Sequence, residues 1–403
     1  MCTLSVIIPA YNEEQGISQI MERVLAVRND LREVGVDRLE LLVVDDGSRD
    51  RTAEIAHQIA GNNQDVKVVT HSINKGYGGA LKTGFSKASG ELIGFLDADG
   101  TYPPEYFPLL CKEVLKNGTE LVIGSRMAGA DSQMPVTRRV GNVFFAGLLT
   151  LLGWQRITDS ASGMRVFRRE VLSAIYPLPN GLNLTPVMST RAVHEGIRMA
   201  EVAIPYSERV GRSKLSVIHD GLLFLQSMVW TVMAYNPVRV LGLLGLVGIG
   251  AAFLITLGLI ISRLSGVMTI SPWGVVALFA ALVFAVGGIS LFSLGATSNY
   301  LVSLFYKQTV RQGLFGRPIF FKSVETRFGL IGSLVLFVGM VIGIVSLLLG
   351  INGWDIDRIW LYLLGSAMLI LVGLQMILYW ALMRVLEDLS QREQLINKDL
   401  AAF

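Results

Sequence analysis

Three short segments of this chain carry residues whose types and spacing could do chemistry. Pro9-Ala10-Tyr11-Asn12-Glu13-Glu14 closes an apolar run. Tyr11 offers a flat face on which a base could stack, and Asn12 offers polar groups for its edge. A helix start capped by Asn12 accounts for the same residues. Asp45-Asp46-Gly47-Ser48-Arg49-Asp50-Arg51-Thr52 closes a second apolar run. Its paired carboxylates could bond a base or a ribose, and a plain turn followed by an N-cap is the alternative. Asp97-Ala98-Asp99 closes a third. Carboxylates two residues apart can share a hard cation, and Mg²⁺ is commonly held by one or two carboxylates plus substrate phosphates. A lone pair of this kind is a common turn. After two other polar strand ends, it reads as a metal site made by Asp97 and Asp99.

A second group of residues is basic: Arg126, Arg138, Arg139, Arg209, Arg212 and Lys214. Arginine forks suit phosphate oxygens, so an anionic substrate is expected. Some of the six could be solvated charges near an anionic membrane. A phosphate monoester, with a second pKa near 6, is largely dianionic at neutral pH and needs no strong base to act as a nucleophile. None of His57, His71, His194 and His219 sits in a base or metal motif, and all four read as surface or packing residues. Asp159 is the remaining base candidate, with a positioning role first.

The elements that must position these groups alternate strand and helix. Buried-strand runs occur at Leu4–Ile8, Leu39–Val44, Val66–Thr70, Leu92–Leu96 and Leu121–Ile123, with helical stretches between them such as Ile17–Val34 and Thr52–Ile59. This predicts an α/β, Rossmann-like domain with a mostly parallel sheet covered on both faces. Ligands on such sheets bind beyond the carboxyl ends of the strands, where the polar segments lie.

Composition divides the chain. Of its 403 residues 52% are hydrophobic and only 17% charged, too apolar for an ordinary soluble enzyme, and most acidic residues lie at or before Asp220. Stretches near Val240–Ile261, Gly274–Tyr306, Phe328–Ile351 and Ile359–Met383 are long and apolar enough to span a bilayer. The loop between the second and third holds Lys307, Arg311, Arg317, Lys322 and Arg327, so it is expected in the cytoplasm with both termini. The run Leu4–Ile8 is too short for a signal peptide. Cys2 and Cys111 cannot build a disulfide framework and fit a reducing cytosol. A net charge of +3 with no block of like charge gives no sign of nucleic acid. Asn142–Trp154 and Ile218–Tyr235 are apolar but too short or interrupted to span, and could lie in the membrane interface. As ordinary core helices they would read the same way.

These ordered motifs resemble glycosyltransferase family 2, with its GT-A fold, and most of all the polyprenyl-phosphate glycosyltransferases, over residues 3 to 235. The resemblance implies an inverting transfer of one hexose from a nucleotide-diphosphate sugar, UDP-glucose-like first and GDP-mannose second, to a membrane polyprenyl phosphate with Mg²⁺ or Mn²⁺. It places Pro9, Tyr11, Glu13 and Asp46 on the nucleotide, with Asn12, Asp45 and Lys75 beside them. Asp97 and Asp99 would take the diphosphate and its metal. Arg126 in Gly124-Ser125-Arg126, together with Arg138, Asn142 and Ser162, would take the acceptor phosphate. Asp159 and Ser162 lie in Thr158-Asp159-Ser160-Ala161-Ser162-Gly163, like the family's acceptor segment. Arg212 and Lys214 in Gly211-Arg212-Ser213-Lys214-Leu215 resemble its mobile loop that closes on the donor. The chain departs at Thr101, where members often have a metal-binding Gln, and at Asn142, where some have Ser.

The expected layout is a GT-A domain over 1–215, an interfacial helix over 216–237, four transmembrane helices over 238–385 and a cytoplasmic tail over 386–403. Self-association into a homo-oligomer is left open. A processive polysaccharide synthase would carry Q-x-x-R-W, but Gln226-Ser227-Met228-Val229-Trp230 has Val229 in place of the Arg. A nucleotidyltransferase would need a Gly-rich, Arg-containing loop after the first strand. A non-catalytic membrane scaffold is disfavoured by the intact Asp97, Asp99 and Arg126.

Overall fold

The computed structural model describes residues 2–127, 134–153, 156–207, 217–267, 271–306, 324–354 and 356–400. They form two compact units, Met1–Thr231 and Val232–Phe403.

The first unit is built on seven strands: β1 Thr3–Ala10, β2 Arg38–Asp45, β3 Val66–Thr70, β4 Leu92–Phe95, β5 Leu121–Ser125, β6 Arg165–Arg168 and β7 Met199–Ala203. Their order in the sheet is β3-β2-β1-β4-β6-β5-β7. All pairings are parallel except those of β6, which runs antiparallel between β4 and β5. The helices are α1 Ile17–Ala26, α2 Arg28–Glu33, α3 Thr52–Gly61, α4 Tyr77–Lys87, α5 Phe107–Lys116, α6 Val136–Gly153, α7 Val171–Ile175, α8 Leu184–His194 and α9 Val217–Tyr235.

The sheet is apolar on both faces because helices cover both. Val6, Ile8, Leu41 and Val43 join a core with α1 and α5, while Ile7, Leu42, Ile93 and Phe167 join one with α4 and α8. Along α1, Ile17, Ile20, Met21 and Val24 recur at helical spacing and are buried. The expected single helix Ile17–Val34 is two helices, because Val27, with ψ of 2°, breaks the ladder and α2 then buries Leu31. Buried Glu40 ties the sheet together. Its carboxylate accepts from Ser5 Oγ (2.5 Å), Lys67 Nζ (2.7 Å) and the Ser89 amide (2.8 Å). Burial alone would push this carboxyl up, but these donors hold it down at about 2.

The direction of strand order reverses at β1, with β2 on one side and β4 on the other. Such a switch point opens a crevice beyond the carboxyl ends of the two strands. Tyr11 follows β1 and Asp97 follows β4, so the sequence segments singled out for their chemistry meet there.

The second unit holds α10 Leu243–Leu264, α11 Pro272–Tyr306, α12 Val324–Ile351 and α13 Ile356–Leu400. Four segments are long and apolar enough to cross a membrane: Val238–Leu264, Pro272–Tyr306, Arg327–Ile351 and Leu361–Leu386. The chain is thus an integral membrane protein. Glycines bring the helices together in pairs. A Cβ on Gly245 would stand 2.5 Å from the Gly288 carbonyl oxygen, and one on Gly373 would stand 2.5 Å from the Leu336 amide. Before α10, a π turn over Val238–Gly242 follows Pro237. Asn299 from α11 accepts the Val238 amide at 3.2 Å and donates to Asn236 Oδ1 at 3.0 Å, so the irregular turn keeps its partners. The expected tail after residue 385 continues as the end of α13.

Candidate active site

The loops after β1 and β2 are stitched to each other. The Asn12 amide donates to Ser48 Oγ at 2.9 Å, and the Arg49 amide donates back to Asn12 Oδ1 at 2.8 Å. The Glu13 amide donates to Thr52 Oγ1 at 2.8 Å. Asn12 takes a positive φ of 52°, which Asn tolerates better than most residues. Asp45 is buried and accepts weakly from the Ser48 amide, at 3.4 Å. Asn12 and Asp45 therefore build the loops, while Pro9, Tyr11, Glu13 and Asp46 line a cavity of about 510 Å³. Asp46 accepts the amides of Lys75 and Gly76, each at 2.8 Å. Lys75 contributes its backbone here and is not among the lining residues.

Asp97 and Asp99 line the same cavity. Tyr77, at the start of α4, donates its hydroxyl to Asp97 Oδ1 at 2.8 Å. Burial, together with the Asp97 charge, pushes this phenol well above its usual range and keeps it a donor. Asp99 Oδ1 accepts the Thr101 hydroxyl at 2.6 Å and the Thr101 amide at 3.2 Å. Thr101, where the family's Gln was expected, thus braces Asp99. Gly163 closes in on Asp97, since a Cβ there would stand 2.6 Å from Oδ2.

Arg126, at the end of β5, meets Asp159 through its own amide (3.0 Å), Nε (2.8 Å) and Nη2 (2.7 Å). Its guanidinium lies over two rings, 5.9 Å from the centroid of Tyr102 and 5.4 Å from that of Tyr206. Asp159 is fully buried. Burial alone would raise its carboxyl, but the charge and hydrogen bonds of Arg126 override that and hold it below the usual range. Arg165 is buried beneath the same loop, with Nη2 on the carbonyls of Ser160 (2.8 Å) and Thr185 (3.1 Å) and Nε on that of Ser162 (3.2 Å). Burial lowers its pKa to about 10, and Asp159 opposes the shift. Asp159 thus lies between the buried Arg165 and Arg126, and Arg126 is the one of the two that lines the cavity.

Arg138 and Asn142, one turn apart on α6, also line the cavity, and α9 adds Asp220, Gly221 and Phe224. Asn142 uses one amide hydrogen on the Thr158 carbonyl at 3.3 Å.

One expectation is corrected. Ser162 is buried and gives its one hydroxyl proton to the Gly124 carbonyl at 2.6 Å, so it shapes the loop and does not reach the cavity. Asp159, expected to position first, faces Arg126 and is not among the residues lining the cavity. Arg212 and Lys214, like Arg209, lie outside the described residues. The sequence reading did not single out Tyr77, Tyr102, Tyr206, Arg165 or Glu201. Glu201 accepts from the amides of Thr158 and Asp159, both at 2.9 Å, and so fixes the loop that carries Asp159. Only the spacing of Tyr102, three residues after Asp99, could have drawn notice.

Residues 5–176 match the model described as Glycosyl transferase family 2, and residues 237–397 match a Domain of unknown function (DUF8752). A dolichyl-phosphate hexose transferase of Haloferax volcanii is 33% identical over 226 residues, covering 56% of this chain and 92% of that protein. An undecaprenyl-phosphate 4-deoxy-4-formamido-L-arabinose transferase of Photorhabdus laumondii is 29% identical over 315 residues, covering 77% of this chain and 92% of that one. Among solved structures, glucosyl-3-phosphoglycerate synthase from Mycobacterium tuberculosis with Mn²⁺, UDP-glucose and glycerol 3-phosphate has a TM-score of 0.44 at 25% identity. That likeness covers 58% of this chain and 80% of that one. With a family model spanning β1 to α7 and a relative matched over nearly its whole length, the chain belongs to glycosyl transferase family 2, as a relative of its polyprenyl-phosphate sugar transferases.

Proposed function

We propose that this protein transfers a single hexose from a nucleotide-diphosphate sugar to the phosphate of a membrane polyprenyl phosphate, with inversion. The observation that carries the reading is one cavity lined by Asp97 and Asp99 together with Arg126, Arg138 and Asn142. The activities named for the two relatives support the acceptor, and the four apolar helices suit a lipid substrate. A UDP-hexose is the first donor to test and GDP-mannose the second.

Pro9, Tyr11, Glu13 and Asp46 would hold the nucleoside. Asp97 and Asp99 would hold Mg²⁺ or Mn²⁺. The donor set fits, being two carboxylates of oxygen ligands, and no third acidic, His or Cys side chain joins them among the described residues. The remaining positions would then belong to diphosphate and water. When bound, the ion offsets the charge that builds on the departing nucleoside diphosphate. Arg126, held flat by Asp159 and the two tyrosines, would hold the acceptor phosphate with Arg138 and Asn142. A phosphate oxygen then attacks the anomeric carbon. The new C–O bond forms as the bond to the diphosphate breaks, and that electron pair leaves with the nucleoside diphosphate. The dianionic acceptor needs no proton removed, in keeping with an Asp159 locked away from the cavity. From an α-linked donor the product is β-linked.

The test is incubation of the full-length protein with undecaprenyl phosphate, Mg²⁺ or Mn²⁺ and radiolabelled nucleotide sugars. One sugar per lipid in the organic phase is the expected result. Label in a long polymer, or in no product, overturns the proposal. Asp99→Ala is expected to abolish transfer while the unfolding midpoint stays near wild type. Near-normal turnover would remove the metal assignment.

A further inference from the structure

His71 carries more than packing. It is 6% exposed, and its Nδ1 lies 2.7 Å from Oδ1 of Asp46, itself 3% exposed and lining the cavity. A carboxylate only accepts, so Nδ1 bears the proton between them. On the other side of the ring, Nε2 meets Thr83 Oγ1 at 2.9 Å, and that hydroxyl also lies 3.1 Å from the Gly79 carbonyl within α4. The imidazole is therefore held at both nitrogens, by a strand-end carboxylate and by a helix.

Asp46 has about four acceptor positions. Oδ1 takes His71 and the Lys75 amide, and Oδ2 takes the Gly76 amide. About one position, on Oδ2, is left for a ligand. The two amides belong to the segment before α4, whose Asn74, Gly76 and Tyr77 line the cavity as well. Gly76 has φ of 85°, and a Cβ on it would stand 2.6 Å from the Asn180 carbonyl oxygen, so this segment has little freedom. His71 is the one side chain bonded to Asp46 among the described residues. With the Lys75 amide it fills Oδ1, which leaves Oδ2 the freer oxygen.

We infer that His71 is a positioning residue for nucleotide recognition: it orients Asp46, and through Asp46 the segment 74–76, toward the nucleoside of the donor. The inference rests on the nucleotide-sugar reading above. It assigns His71 no contact with the reacting atoms.

Asparagine can place its amide nitrogen close to the position of Nδ1, whereas alanine cannot. Full-length wild type, His71→Ala and His71→Asn would be titrated with UDP and with GDP in the presence of Mg²⁺. Their KM values for donor and for undecaprenyl phosphate would be measured in the same preparations. His71→Ala is expected to weaken binding of the recognised nucleotide about tenfold, the loss of one charge-assisted hydrogen bond. Its donor KM should rise in parallel, with acceptor KM unchanged. His71→Asn should recover most of that affinity. Wild-type-like binding by His71→Ala overturns the inference, as does equal weakness of the two variants when both retain the wild-type unfolding midpoint. A wild type that binds neither nucleotide overturns the donor reading itself and the inference with it.

Discussion

Arg126 meets the buried Asp159 through three hydrogen bonds of 2.7 to 3.0 Å. Breaking a buried pair by removing one charge leaves the other uncompensated, at a cost of about 3 kcal/mol or more. Asp159→Asn is thus expected to lower stability by about that amount and to raise the acceptor KM more than the donor KM. The sign with pH follows from the depressed carboxyl of Asp159. Its stabilisation is complete above the unfolded carboxylate pKa of about 3.9 and is lost as pH falls through the lower folded value. Thermal unfolding of the two proteins should differ by a constant amount above about pH 5, and the gap should close in stronger acid. A gap that persists at the lowest pH would show that the charge of Asp159 is not what stabilises the fold.

At the scale of elements, the segment 158–163 joins the two halves of the site. Glu201 on β7 holds its start, Arg165 on β6 holds its carbonyls, and Asp159 and Gly163 reach Arg126 and Asp97. Gly163→Ala puts a methyl group 2.6 Å from Asp97 Oδ2 and 2.8 Å from Oδ1. The carboxylate must move, and displacements of about 1 Å at a reacting centre can cost on the order of a hundredfold in rate. Turnover should drop at least tenfold with donor KM less affected, while far-UV circular dichroism stays that of wild type. An active Gly163→Ala enzyme would mean that Asp97 does not need this position. On α6, Val136, Val140, Val143, Phe144 and Leu151 form an exposed apolar stripe, and α9 exposes Leu222 and Trp230. That is the arrangement an interfacial helix needs.

For the whole molecule, each unit has its own apolar core, and the membrane unit contains an even number of candidate spans. We propose that all four cross, which would put the two termini on one side. The basic residues Lys307, Arg311, Arg317 and Lys322, which lie outside the described residues, together with Arg327 predict that this side is cytoplasmic. Protease-cleavable tags at the N- and C-termini should both resist protease added to intact cells and both be cut after lysis. Cleavage of either in intact cells would refute this orientation.

The alternation of apolar runs with polar strand ends was enough to read an α/β sheet and to place Tyr11, Asp46, Asp97 and Asp99 at one edge. Strand direction and the rule for crevices act locally on the chain, and hydropathy over some twenty residues finds a span without help from tertiary contacts. Other features depend on residues far apart in sequence. Ser162 and Asp159 sit in a polar segment that looked ligand-facing, yet antiparallel β6 turns that segment inward, so their partners are Gly124 and Arg126. His71 has no local motif, and only the pairing of β2 with β3, which brings Asp45 opposite Thr70, places it against Asp46. Tyr102 and Tyr206 flank Arg126 from more than 100 residues apart in the chain. Periodicity and strand ends are properties of the chain itself, whereas which buried polar groups become partners is set by packing, because only the folded core brings them within hydrogen-bonding distance.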